Sequence, residues 1–417
     1  MRMRLRGVFV ILVGTASADD WPAFRGPAGD GVSAEKNAPV TWGPDKNVKW
    51  KAALPQPCNG SPIVSNGRVF LTCAEDADGK RRSLYCFDRK DGKQLWARTV
   101  EFGKKMPTHE TNPYCATTPA ADGERVVVWH ASAGLICYDF DGKELWSRDL
   151  GEFRHIWGYA TSPVLHDGKV ILNTGPGKRV FITAIDLKSG KTIWETEEPF
   201  KGDGDHNEVG GYLGSWCTPM IVKDQILCAQ PGRVVAYDPR DGKALWWCEG
   251  LRHKGGDLAY SSPVVAGDIL VYIGGFTGPG LGIRLGGKGD VAGTHRLWRN
   301  EKNPQSIGSG VAVDGYVYQP QSGPNRIDCI DPKSGDTLWR DPAGGSAYWG
   351  SIVSAAGRCY VTDQNGTTIV FKPDPKKFDL IGENRLDEPC NATPAVSNGE
   401  IFIRTFNNLY CISERGN

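Results

Sequence analysis

The chain places its densest set of reactive side chains in one short stretch. Asp203, Asp205, His206 and Glu208 stand within GDGDHNE, and carboxylates beside an imidazole can ligate a divalent cation or pass a proton as an acid/base pair. The same residues also make an ordinary solvated polar loop, because no second ligand set follows at a fixed spacing. Other histidines, including His109 and His155, stand singly. The sequence has no Gly-x-Ser-x-Gly elbow, glycine-rich phosphate loop or His-Glu-x-x-His helix, so nucleophilic hydrolysis, phosphoryl transfer and zinc proteolysis have no motif to rest on.

What positions these groups is a repeat. DRKDGKQLW at Asp88–Trp96 returns as DGKELW at Asp141–Trp146, DLKSGKTIW at Asp186–Trp194, DPRDGKALW at Asp238–Trp246 and DPKSGDTLW at Asp331–Trp339. An Asp ends one extended segment, a Gly-containing turn follows and a Trp ends the next, which is the pattern of a hairpin. The repeat tryptophans Trp50, Trp96, Trp146, Trp194, Trp246, Trp298 and Trp339 are 41 to 52 residues apart, the period of a four-stranded propeller blade. One large ring per unit suggests that each blade docks its indole on the next.

Each unit opens with Ser/Thr-Pro, as at Ser61-Pro62, Thr118-Pro119 and Thr393-Pro394; units six and seven have Ser309-Gly310 and Ser351-Ile352 instead. Proline donates no N–H, which assigns these strands to the blade edge along the central channel. Eight units count out. The fifth is expected to replace its middle hairpin with the stretch Ile273–Trp298, and the seventh has KPDPKKFDLIGEN where its Trp strand should be. The last unit stops one strand short, while the strand around Trp50 has no partners before it, so the two should complete one blade and close the ring. The expected fold is all-β, an eight-bladed β-propeller of four-stranded antiparallel blades whose last blade is closed by the N-terminal strand, with no open edge.

At the N-terminus, MRMRLR, an apolar run and Ala16-Ser17-Ala18 read as a secretory signal peptide over residues 1–18. Asp19 follows, where a lipoprotein signal would require Cys. Residues 19–47 read as an irregular segment over the ring surface, and 48–417 as a single propeller domain. Without Arg2, Arg4 and Arg6, 46 basic residues face 48 acidic ones, so nothing favours nucleic acid. No stretch is long and apolar enough to span a bilayer. The expectation is an exported monomer, periplasmic or extracellular.

The Asp-x-x-x-Gly-Lys-x-Leu-Trp hairpin resembles the tryptophan-docking repeat of the pyrroloquinoline-quinone (PQQ) propeller superfamily over about residues 48–413, in particular the BamB-like branch of exported bacterial proteins. WPAFRGPAGDGVS at Trp21–Ser33 also resembles the head of exported PQQ-like repeat proteins. The superfamily holds both quinoprotein alcohol dehydrogenases and the non-enzymatic assembly protein BamB. The dehydrogenase branch implies PQQ held between a Trp and two adjacent disulfide-linked cysteines, with calcium on Glu, Asn and Asp. No two of the twelve cysteines here are adjacent, and no Cys-x-x-Cys-His occurs. Cys58, Cys115 and Cys390 share one repeat position, and Cys86, Cys137, Cys329 and Cys411 another. Like positions should face the same rotational way and fail disulfide geometry, which leaves apolar filler as the expected role, with disulfides between unlike positions or metal ligation as alternatives.

In such a ring the long loops, Ala97–Tyr114 and Glu195–Ser215, fall on the face that also carries His109, His155 and His206. There Tyr159, Trp216, Tyr260, Tyr348 and Trp349, just ahead of the channel strands, form an aromatic mouth suited to a sugar, a peptide or a planar ligand, or else pack the blade junctions. The function expected is a non-catalytic binding or scaffold propeller, with a protein, carbohydrate or small molecule on this face and no cofactor. A PQQ- and calcium-dependent enzyme, or another enzyme on the same face, is the alternative class.

Overall fold

The computed structural model describes residues 20–199 and 202–414; the expected signal peptide lies outside them. Eight antiparallel sheets follow one another around a ring. The first blade, Ile63–Ser65, Arg68–Ala74, Arg81–Asp88 and Gln94–Glu101, shows the pattern. The inner strand is short and buried, the two middle strands are apolar, and the outer strand alternates with only its Trp buried.

Closure runs through both ends of the chain. Val48–Ala53 pairs antiparallel with Asn408–Ile412, Trp50 opposite Cys411 and Ala53 opposite Asn408. Glu400 pins the seam, 2.7 Å from Lys49 and 2.9 Å from Arg89 of the first blade.

The repeat tryptophans and the turn glycines form one device. The Nε1 of Trp50, Trp96, Trp146 and Trp194 donates at 2.8 to 3.0 Å to a carbonyl in the next blade's turn. In those turns Gly92, Gly142, Gly190 and Gly242 have φ of +68° to +79°, and a Cβ on any of them would lie 2.4 to 2.8 Å from the docked indole. Glycine is therefore required twice at each position, for the left-handed backbone and for the ring resting on it. Trp298 and Trp339 dock likewise on Pro332 and Asp374. Trp246 instead bonds Gln225 of its own blade at 3.1 Å, because the fifth blade has no such turn.

Two repeat assignments need correction. The fifth blade keeps its middle hairpin, Ile269–Ile273 with Gly280–Arg284. Its extra residues lie in the outer hairpin, where Gly289–Asp290 adds a parallel strand to the fourth blade beside Trp246 and Trp247. In the seventh blade the outer strand Asp379–Arg385 is present, with Gly382 in the Trp position opposite Val370. The N-terminal segment covers this gap. The Val40 carbonyl lies 3.1 Å from where a Gly382 Cβ would be, Asn384 bonds Val40 and Trp42, and the Trp42 ring is buried in the same core as Val370.

The rest of that segment crosses the turn-rich face. Trp21 bridges Val64, Pro22 accepts from Ala121, and Ser33 and Gly31 bond Ser354 across the ring. Arg25, 1% exposed, donates to Gly310 and Asp30 carbonyls. All twelve cysteines are free and buried. Cys86, Cys137, Cys329 and Cys411 each lie opposite the outer-strand Trp of their own blade. The sulfurs of Cys58 and Cys73, which occupy unlike positions, lie 3.7 Å apart.

Candidate functional site

The repeat Ser/Thr residues close into a belt around the channel. The N–H of Ser61 donates to Thr118 Oγ1, Thr118 to Ser162, Ser162 to Thr218, Ser262 to Ser309, Ser309 to Ser351, Ser351 to Thr393 and Thr393 back to Ser61, all at 2.9 to 3.1 Å. The remaining link is Ser262 Oγ to the Thr218 carbonyl at 2.8 Å. Prolines such as Pro62 and Pro119 sit one residue later, where no N–H is needed. All eight hydroxyls line a cavity of about 420 Å³ that opens on the loop-rich face and reaches Phe24 of the N-terminal segment.

Aromatic rings from the blade-to-blade connections wall this cavity. Trp157 lies 4.5 Å from Tyr212 and 5.9 Å from Trp216, and Trp216 lies 5.3 Å from Tyr260. A small parallel sheet, Tyr212–Ser215 with Gly256–Ala259, sets Tyr212 and Trp216 beside Tyr260. Trp216 is fixed further by its Nε1 bond to Gly158 at 2.9 Å. Trp349 and the exposed Phe276 complete the mouth. An amide relay supports the rim: Gln364 donates to Asn391, Asn391 to Asn59, and Asn59 to Asn112 at 3.1 to 3.2 Å, while Asn112 holds the Trp157 carbonyl at 2.8 Å.

His109, Trp216, Tyr260 and Trp349 thus line the cavity, and other candidates lie behind its wall. His155 is fully buried, edge-on to Trp216 at 4.8 Å, with Nε2 3.1 Å from the Leu213 carbonyl; burial lowers its pKa to about 4. Tyr159 turns away, packing on Phe153 and donating to Pro176 at 2.5 Å. Tyr348 is fully buried and donates to Ala343. These two rings belong to the junctions, because their hydroxyls find backbone carbonyls there.

The acidic turn is used for shape. Asp203 accepts from the N–H groups of Asp205 and His206 at 2.9 and 2.7 Å, which lowers its pKa. Asp205 accepts from Ile156 at 3.0 Å and faces Arg154 at 3.3 Å. His206 stacks on Tyr212 at 4.9 Å, and Glu208 is exposed at the tip. Among the described residues no group of three or more His, Cys, Asp or Glu is arranged to hold a metal.

Among the described residues no Asp, Glu, Lys or Arg lines the cavity. PQQ carries three carboxylates and calcium seeks carboxylate oxygens, so this donor set does not fit that pair. Trp157, Tyr212, Phe276, Phe24 and Gln305 escaped the sequence reading. Trp157 carried a usable signal, an indole off the repeat phase and six residues ahead of a channel Pro163.

The family model described as outer membrane protein assembly factor BamB matches residues 32–107, 80–322 and 323–414. The chain is 23% identical over 197 residues to the quinohemoprotein alcohol dehydrogenase ADH-IIG of Pseudomonas putida, covering 43% of this chain but only 26% of that enzyme. It is 24% identical over 313 residues to outer membrane protein assembly factor BamB of Yersinia pestis, covering 70% of this chain and 72% of that protein. The crystal structure of BamB from Moraxella catarrhalis superposes with a TM-score of 0.61 at 16% identity, over 88% of this chain and 97% of that one, a likeness of fold.

Proposed function

The chain belongs to the family of outer membrane protein assembly factor BamB, and from that premise we propose that it is an exported, non-catalytic binding propeller whose ligand or partner enters the aromatic mouth of the loop-rich face. The observation that carries this reading is the lining of the cavity: aromatic walls and a hydroxyl floor, with no Asp, Glu, Lys, Arg or Cys among the described lining residues. Such a pocket can hold a ligand by contact area and hydrogen bonds, and among its described lining residues His109 is the one imidazole. The relatives named as assembly factors support a scaffold role. The sequence likeness to a dehydrogenase covers only a quarter of that enzyme, and the solved dehydrogenase structures share the fold.

Two measurements test the proposal. Full-length protein given PQQ and calcium should reduce no redox dye with alcohols, and a photo-crosslinker at Phe276 should capture envelope components that the same group at the outer-rim Leu145 does not. Reproducible dye reduction, or equal capture at both positions, would overturn it.

A further inference from the structure

Resting on the reading of the mouth as a binding site, we propose that its ligand is a neutral pyranose saccharide seated between Trp157 and Trp349. The first ground is charge. With no Asp, Glu, Lys or Arg among the described lining residues, an anionic or cationic ligand would lose hydration without gaining a carboxylate, ammonium or guanidinium partner, which disfavours nucleotides, free amino acids and carboxylated quinones.

The second ground is the shape of the walls. Trp157 precedes the third blade and Trp349 the seventh, four places apart in a ring of eight, so the two indoles approach from opposite sides. The rings grouped around Trp157 are inclined to it by 36° to 65°. A planar ligand lying flat on Trp157 would therefore meet the neighbouring rings at an angle. A chair-shaped sugar instead lays one apolar C–H face on each aromatic surface and turns its hydroxyls outward.

Those hydroxyls find partners at the edges of the cavity. The indole N–H groups of Trp157 and Trp349, the hydroxyls of Tyr212 and Tyr260 and the side-chain amide of Gln305 make no hydrogen bond to any described residue. In the floor, belt hydroxyls such as Ser61 and Thr118 accept from the neighbouring blade and keep their own proton to donate. Donors and acceptors thus surround an apolar slot, the mixed requirement of an uncharged polyol ring. A volume of about 420 Å³ lies at the small-molecule end of binding cavities and suits one or two sugar units better than a folded peptide.

The test is calorimetric titration of the full chain with neutral hexoses, N-acetylhexosamines and their disaccharides, alongside the matching uronic acids. Pelleting with insoluble neutral polysaccharides separates free sugars from chain ends as the source. At least one neutral saccharide should bind, and its uronate should bind on the order of tenfold more weakly. Trp349→Ala should weaken binding by about tenfold, the loss of one aromatic contact, with an unchanged melting temperature. Gln305→Leu, which removes hydrogen bonding at little cost in volume, should weaken it too should the Trp349 variant prove unstable. Absence of binding across the panel, equal binding of uronates, or binding indifferent to both substitutions would overturn the saccharide assignment. Crosslinking of an envelope protein at Phe276 with a blank panel would refute the saccharide and leave the binding reading standing; failure of both would remove the two together.

Discussion

The indole N–H of Trp50 donates to the carbonyl of Arg89 at 2.8 Å, and the face of the same ring covers Gly92. Residues 39 apart in sequence are thereby clamped across the seam between the last blade and the first. Gly92→Ala would combine a left-handed backbone at φ +73° with a Cβ 2.5 Å from the ring, and should lower unfolding stability by about 2–4 kcal/mol in urea titration. Gly123→Ala is the control. Its φ of +93° faces open space, so only backbone strain of about 1 kcal/mol should register.

The N-terminal arm should be as important to the seventh blade as a repeat Trp is to the others. Trp42→Ala removes a ring that is 4% exposed and should cost about 3–5 kcal/mol. Urea unfolding followed by tryptophan fluorescence measures it, and a cost below 1 kcal/mol would mean the arm is loosely attached.

Acid should weaken the fold well above the carboxylate range. Burial lowers the pKa of His155 to about 4 and that of His130 to about 3, whereas an unfolded imidazole titrates near 6.5. The unfolded chain therefore takes up protons first as pH falls. Stability from these two residues is intact above about pH 6.5 and drains away between there and the folded values, with each losing about 2 kcal/mol by pH 5. Urea midpoints at pH 7.5 and 5 should show the drop, and His155→Asn should make the slope shallower whatever its absolute stability.

The thiols should behave as filler in the folded chain. Burial pushes Cys86 and Cys137 up to about 12, and a thiolate is the reactive form. A thiol-specific reagent should find almost none of the twelve in native protein and all of them after reduction and denaturation. Under mild oxidation Cys58 and Cys73, with sulfurs 3.7 Å apart, should link before any other pair; peptide mapping that finds Cys86 joined to Cys137 would contradict the packing.

The ring was readable because its signals are local and repeated: Asp and Gly at each turn, Trp at a fixed distance after them, Ser/Thr-Pro at each inner strand. Even the closing strand announced itself, as a Trp segment without partners. The mouth was less legible. Trp216, Tyr260 and Trp349 stand two residues before the belt Ser/Thr, and Tyr159 and Tyr348 three before it; grouping all five as one aromatic set passed over that one-residue step, which sends Trp349 to the axis and Tyr348 into the junction. Tyr212 gains its place from a two-stranded parallel sheet between distant loops, a pairing that neither loop encodes alone. The acidic turn shows the limit of composition. Its composition is that of a ligand set, but the backbone N–H groups of its own loop occupy Asp203, and that of Ile156 occupies Asp205.

The closing seam also orders events in time. Trp50 and its strand leave the ribosome early, yet their partners at Asn408–Ile412 are made only after all the intervening blades. Until those residues arrive, the early strand has an unsatisfied edge, while Trp42 waits only for the seventh blade, complete at Arg385. Completion of this ring therefore waits on the synthesis of Asn408–Ile412, and a chain stalled shortly before residue 408 would be the species most in need of a chaperone.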